Sequence, residues 1–231
     1  MIDNLPREIW AHEIATNMEP AADWLWHGYV ARGNLTLLTG MGKAAGKTTL
    51  LSLLLSRRRQ GGALAGLDVK PGKTVVVTEE SPAQWAERAR QLDLGSHVCL
   101  FPRPFLAIPT PEEWQALISR ILQLGEQHGI DLMVLDPLAP FLRNESNPRV
   151  ILETLLPLSA LTRHGMGVLA MHHPSKAQAA LGLAVRGSSA LRAMSIYPWK
   201  CGTWAATPPR DAAGSSPCRG TRKPRVTCSW S

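Results

Sequence analysis

Gly40-Met-Gly-Lys-Ala-Ala-Gly46-Lys47-Thr48-Thr49 separates two runs of different character. Before it, Leu35, Leu37 and Leu38 with Thr36 between them form a short apolar run bounded by glycines, which predicts a buried strand. After it, Thr-Thr-Leu-Leu-Ser-Leu-Leu-Leu-Ser leads into Arg57, Arg58 and Arg59, a leucine-rich helix closed by cations. A strand, a loop of small residues and a helix N-terminus together suit a phosphate. Backbone N–H groups wrap closely round its oxygens only where side chains are small, and the helix dipole adds to the attraction. This reading places Gly40, Gly42, Ala45, Gly46 and Thr49 in the cradle and Lys47 on the β- and γ-phosphates of ATP, with the Thr48 hydroxyl on Mg²⁺.

One feature departs from the usual spacing. Five residues lie between Gly40 and Gly46 where the pattern has four, and Met41 stands where it has glycine. Either the extra residue bulges outward and leaves the amide cradle intact, or it weakens nucleotide binding.

Three further places carry candidate chemistry. Leu132-Met-Val-Leu135 runs apolar into Asp136, a carboxylate at a strand end. Alone, that is a common turn start, but downstream of a phosphate loop it becomes a candidate second ligand for the Mg²⁺. Glu79 and Glu80 close the β-branched run Thr74–Thr78, at the kind of strand end where open α/β sheets gather ligand groups. Glu80 is the better candidate to polarise an attacking water, the competing role being the start of the helix at Ser81, where acids are favoured. His172 and His173 end a later strand and are candidates to sense the γ-phosphate, but neighbours on a strand face opposite ways, so one of them at most points at the site.

Strand and helix alternate along most of the chain. Thr74–Thr78 predicts a strand, Pro82–Leu92 a helix, His97–Phe101 a strand, Pro111–Gln127 a helix, Asp131–Leu135 a strand, 149–164 a helix and Gly167–Met171 a strand. Such alternation implies an α/β fold, a mostly parallel sheet with helices on both faces. Ile9, Trp10, Ile14 and Met18 fall at helical spacing after Pro6, so residues 1–21 are expected to form an N-terminal helical adaptor, with the core at 22–192.

Composition sets the outer limits. In 231 residues, 45% hydrophobic and 19% charged, one globular domain fits and wholesale disorder does not. Apolar runs such as Leu50–Leu55 are far shorter than the roughly 20 residues of a membrane span, and no apolar leader opens the chain, so no membrane partner and a cytoplasmic location are expected. The net charge of +7 is concentrated in 193–231, where Lys200, Arg210, Arg219, Arg222, Lys223 and Arg225 face only Asp211. Charge on the core therefore gives no argument for nucleic acid. Cys99, Cys201, Cys218 and Cys228 match no zinc spacing. The tail mixes Pro, Gly, Ser, Trp and Cys without period and is expected to be mostly irregular. A permissible coding choice read one base out of frame from about Met194 alternates apolar and polar residues, so the tail also reads as a frameshift product replacing the last strands.

Taken together, Gly-Lys-Thr-Thr, Thr78-Glu-Glu-Ser81, the strand to Asp136, His172-His-Pro-Ser-Lys176 and Arg186-Gly-Ser-Ser-Ala-Leu191 resemble the RecA-like ATPases of the RepA type. These are the hexameric replicative helicases of plasmids, with their bacterial AAA-family ATPase relatives. The resemblance implies a three-layer RecA-like P-loop core, a homo-oligomer (a hexamer) with ATP between subunits, and action on single-stranded DNA. It further implies Lys47 and Thr48 on ATP and Mg²⁺, Glu80 as base, Asp136 on the metal, and His172 or His173 with Lys176 in a switch region. It also makes Pro174–Val185 a segment directed at a central channel. The family's trans-acting arginine has no convincing counterpart; Arg186 and Arg192 are the nearby candidates. Two other classes stay open, a catalytically impaired ATP-binding remnant or regulator, and a small-molecule kinase. A kinase needs a basic lid, and Arg57–Arg59 read instead as a solvated helix end.

Overall fold

The computed structural model describes residues 10–13, 22–39, 46–143 and 147–172, and the backbone of 197–200. Of the expected N-terminal helix only residues 10–13 are described, of which 11–13 are helical; the rest lies outside the described residues.

Strands β3 (Leu35–Thr39), β6 (Lys73–Thr78), β7 (Val98–Pro102), β8 (Ile130–Asp136), β9 (Gly167–His172) and β10 (Tyr197–Lys200) form one sheet in the order β10-β3-β9-β8-β6-β7. Every neighbouring pair is parallel. All seven residues of β8 are buried, as a strand covered on both faces requires, which is why it reads as a nearly unbroken apolar run.

Helices close the two faces. On one, Val75, Val77, Met133, Leu135, Val168 and Ala170 pack with helix α3 (Pro111–His128) and with α4 (Pro148–Leu155) and α5 (Leu158–Arg163). On the other, Val76, Leu132, Val134, Leu169 and Met171 meet α1 (Lys47–Arg57) and α2 (Pro82–Leu92) through Leu51, Leu54, Leu55 and Trp85. Odd and even positions of the strands part between the two cores, the period-two signature of a pleated sheet, except at Ile130, which lies before a register shift between β6 and β8 and joins the first core. The expected three-layer α/β fold, of the kind found in RecA-like P-loop cores, is present.

Helix boundaries follow local chemistry. Ser81 caps α2 and Thr110 caps α3, each in a reciprocal box with the residue three positions on, Gln84 and Glu113, and each is followed by proline at the first helical position. The single helix expected over 149–164 is two helices, because Pro157 has no N–H to continue the hydrogen-bond ladder beyond Leu156.

Four short strands escaped the sequence reading. β1 (Trp24–Trp26), β2 (Val30–Ala31), β4 (Gly62–Leu64) and β5 (Leu67–Val69) form an antiparallel sheet in the order β2-β1-β5-β4, packed on the α1 side of the core through Leu25, Trp26, Val30, Leu64 and Val69. Strands of two or three residues show no alternation to read. The β4–β5 hairpin turns on Ala65 at φ 55° and Gly66 at φ 77°, and an alanine in that region is an uncommon turn signal.

The tail also departs from expectation at Tyr197–Lys200, which runs parallel to β3 in register with Thr36–Thr39. An uncovered edge of β3 offers a row of unpaired amides and carbonyls, and Pro198 is tolerated on an edge strand. The rest of the tail lies outside the described residues.

Arg58 corrects the expectation of a solvated helix end, for it is fully buried. Successive residues on a helix point about 100° apart, so of three arginines in a row one turns inward. Arg58 pairs with Asp131 near the start of β8 and donates from Nη1 to the Lys70 carbonyl at 2.6 Å. Arg32 Nη2 reaches the other oxygen of Asp131 at 2.7 Å, and Arg32 and Lys70 share Asp23 at 3.1 and 2.7 Å. Gly72 lies against this network, so that a Cβ there would fall on the Arg58 guanidinium.

Removing one partner of a buried ion pair leaves the other charge uncompensated at a cost of about 3–5 kcal/mol. Arg58→Ala is therefore expected to lower the urea midpoint by a large fraction of the whole stability, and Gly72→Ala to do so in the same direction. An Arg58→Ala midpoint equal to that of the parent contradicts this assignment.

Candidate functional site

Parallel strands deliver their C-terminal ends to one edge of the sheet. Thr39 of β3 is in register with His172 of β9, and Thr78 of β6 with Asp136 of β8. Gly46 has φ 61°, a left-handed conformation suited to glycine, and α1 starts directly after it at Lys47, whose charge acts on Asp136 and His172 at this edge. Lys47 is 3% exposed, while Thr48 and Thr49 behind it are exposed on the first turn.

Electrostatics ties these groups into one cluster. The Asp136 carboxyl is pushed up to about 6, first by burial and then by the negative charge of Glu80, with Glu79 adding to it; Arg88 and Lys47 pull the other way. The imidazole of His172 is held below its usual range by burial and then by the Lys47 charge, so at neutral pH it is uncharged. His172 is 6% exposed, and its Nδ1 has no hydrogen-bond partner among the described residues. Lys47, Glu80 and Asp136, and Lys47 and His172, are thus close enough to act on one another at this edge. Gly40, Gly42, Ala45, His173, Lys176, Arg186 and Arg192 lie outside the described residues, as does 174–185.

The two glutamates part company. Glu79 is exposed, and its carbonyl accepts from Arg103 Nε at 3.0 Å. Glu80 is half-buried: its N–H donates to Thr78 Oγ1 at 3.1 Å, and both its carboxylate oxygens are gripped by Arg88, at 2.5 and 3.0 Å. Ser81 and Gln84 satisfy the helix start between themselves, so neither acid is needed there.

Arg88 is the member that sequence reasoning missed. Its guanidinium carbon sits 4.4 Å from the Trp85 ring centroid, and Trp85 and Arg88 are spaced so as to share one face of α2. That i, i+3 spacing behind a Glu-Ser-Pro start was the available signal. It was weak, because it does not say that the helix folds back over the acid.

These residues fit a nucleotide with its Mg²⁺. A carboxyl pushed up by burial and then by neighbouring acids, beside a buried lysine at a helix N-terminus, offers one carboxylate suited to a metal ion and one cation suited to phosphate. Among the described residues no three His, Cys, Asp or Glu side chains gather as a metal cage. Mg²⁺ commonly needs only one or two carboxylates together with substrate phosphates. No helix among the described residues is long and apolar enough to cross a membrane.

Comparison with known proteins gives a family-model match over residues 4–179, described as an AAA domain. No curated protein matches the chain.

The position of Asp136 predicts a pH signature in the protein freed of metal and nucleotide. Below pH 3.8 both folded and unfolded chains keep the proton. As pH rises the unfolded chain releases it first, so stability falls up to and through about 6. The full loss is about 3 kcal/mol above that range. Asp136→Asn is expected to raise the unfolding midpoint at pH 8 in chelator and to lose this advantage by pH 4. A gain of equal size at both pH values contradicts the raised carboxyl.

Proposed function

Because the chain belongs to the AAA domain family of P-loop ATPases, we propose that it hydrolyses ATP with Mg²⁺, using the cluster at the C-terminal edge of its sheet. The observation that carries this reading is the meeting of Lys47, Asp136, Glu80 and His172 from α1, β8, the β6–α2 junction and β9. Four separate stretches of sequence supply the parts of a phosphoryl-transfer site.

Each residue has a task that follows from its surroundings. Lys47, buried at the first turn of α1, would bind the β- and γ-phosphates, with the helix N-terminus adding to the attraction. The Thr48 hydroxyl and the Asp136 carboxylate would hold the metal. Mg²⁺, when bound with the nucleotide, neutralises charge on the transferring phosphoryl group. Glu80 orients and polarises the attacking water, and His172, neutral and with a free ring nitrogen, accepts from or donates to groups around the γ-phosphate according to its tautomer. The amides of the phosphate cradle are assigned to the Gly40–Gly46 stretch on its sequence alone, one residue longer than the usual pattern.

By resemblance to the RepA-type helicases, the proposal extends to a homo-oligomer acting on single-stranded DNA. Support for that step is the set of motifs at Gly46–Thr49, Thr78–Ser81, Asp136 and His172–Lys176, and not charge.

Phosphate release from ATP tests both levels. Glu80→Gln is expected to bind a fluorescent ATP analogue as the parent does and to lose at least about 100-fold in turnover, the scale of general acid–base catalysis. Unchanged turnover in Glu80→Gln removes the base role from Glu80. Stimulation of the parent by single-stranded DNA supports the motor reading. Turnover that depends on a small-molecule acceptor points to a kinase, and binding without turnover to an ATP-binding remnant or regulator.

A further inference from the structure

Arg88 grips both carboxylate oxygens of the candidate base, and it belongs to neither the phosphate loop nor the strand ends. We propose that Arg88 is a positioning residue that fixes the carboxylate plane of Glu80 for water activation, an assignment that rests on the ATP-hydrolase reading above. The pair is a two-pronged guanidinium–carboxylate contact, which sets orientation as well as distance. Both members are largely covered, with side-chain exposures of 17% for Arg88 and 24% for Glu80, so water screens the contact less than it screens a surface pair.

Both ends of the contact are anchored. The Arg88 guanidinium lies over Trp85, which is 1% exposed and packed in the α1–α2 core. The Glu80 main chain is held by Thr78 Oγ1 on one side and leads directly into the capped start of α2 at Ser81 on the other. A loop side chain between two such anchors is preorganised, and the cost of ordering it is met in folding and not during turnover. Each carboxylate oxygen accepts about two hydrogen bonds, so the Arg88 fork leaves lone pairs on Glu80 for a water.

Charge supports the same role. Glu80, Glu79 and Asp136 all press negative charge on this edge, opposed from α1 by Lys47 and from α2 by Arg88. Lys47 is assigned to phosphate, and Arg88 supplies the positive charge in direct contact with the Glu80 carboxylate.

The test is steady-state ATP turnover and fluorescent-ATP affinity for the full chain and for Arg88→Ala and Arg88→Lys, with unfolding midpoints as the check on folding. Arg88→Ala is expected to lose about 10- to 100-fold in kcat with ATP affinity within about threefold of the parent. Arg88→Lys, which keeps the charge without the fork, is expected to fall between the two. Millimolar guanidinium, far below denaturing concentration, is expected to restore part of the Arg88→Ala rate and none of a Glu80→Gln rate. A rate equal to or above the parent's in Arg88→Ala overturns the assignment alone, as does a loss of affinity matching the loss of rate, or an absence of guanidinium rescue. An Arg88→Ala chain too unstable to assay transfers the decision to Arg88→Lys, where a parental rate overturns the assignment and an intermediate rate supports it. ATP binding without turnover in the parent chain overturns the hydrolase reading, and this assignment with it.

Discussion

Acidic side chains crowd one edge of the parallel sheet, and the cations opposite them are what let the crowd persist. Asp136 ends a wholly buried strand, and Glu80 ends the segment leaving the neighbouring strand, so parallel pairing of β6 with β8 brings them together whatever their mutual repulsion. Burial and the nearby acids hold the Asp136 carboxyl well above its ordinary range, while Lys47 and Arg88 counter the repulsion. A parallel sheet imposes this crowding because all its C-terminal ends lie together. Charge brought by ligands then meets a site already arranged to receive it.

The opposite edge has its own ion pairs, with a different consequence. Helix α1 begins at Lys47 in the cluster, and just past its last turn Arg58 is locked to Asp131; β8 runs from Asp131 in that lock to Asp136 in the cluster. The same helix and strand are therefore fastened at one end by the buried Arg58–Asp131 pair and carry Lys47 and Asp136 of the cluster at the other. Rigidity at the far edge keeps Lys47 and Asp136 at a fixed separation, as a site dependent on preorganisation requires.

Much of this was legible in the chain, and what was not has physical causes. β8 announces itself because burial on both faces leaves room for little but apolar residues, and α2 and α3 because Ser81, Pro82, Thr110 and Pro111 are start signals that act within one turn. The positions of Asp136, Glu80 and His172 at or just beyond strand ends, and of Lys47 at a helix start, follow from the element assignments. The small antiparallel sheet was not found, since its strands are two or three residues long and one of its turns uses Ala65 at positive φ. Arg58 and Arg88 were misread or missed for one reason: each is defined by a carboxylate its own helix does not contain, Asp131 lying 73 residues away and Glu80 before the helix begins. Periodicity shows which face an element buries and is silent about which charge waits there.

The match to the AAA domain and the arrangement at the sheet edge meet in one claim, that the lengthened loop before Lys47 still cradles a triphosphate. Titration of a fluorescent ATP analogue, with and without Mg²⁺, into the parent chain and Lys47→Ala addresses that claim directly. Saturable binding strengthened by Mg²⁺ in the parent and abolished in Lys47→Ala is the result expected. Equal titration curves for the two proteins, or none for either, would contradict it.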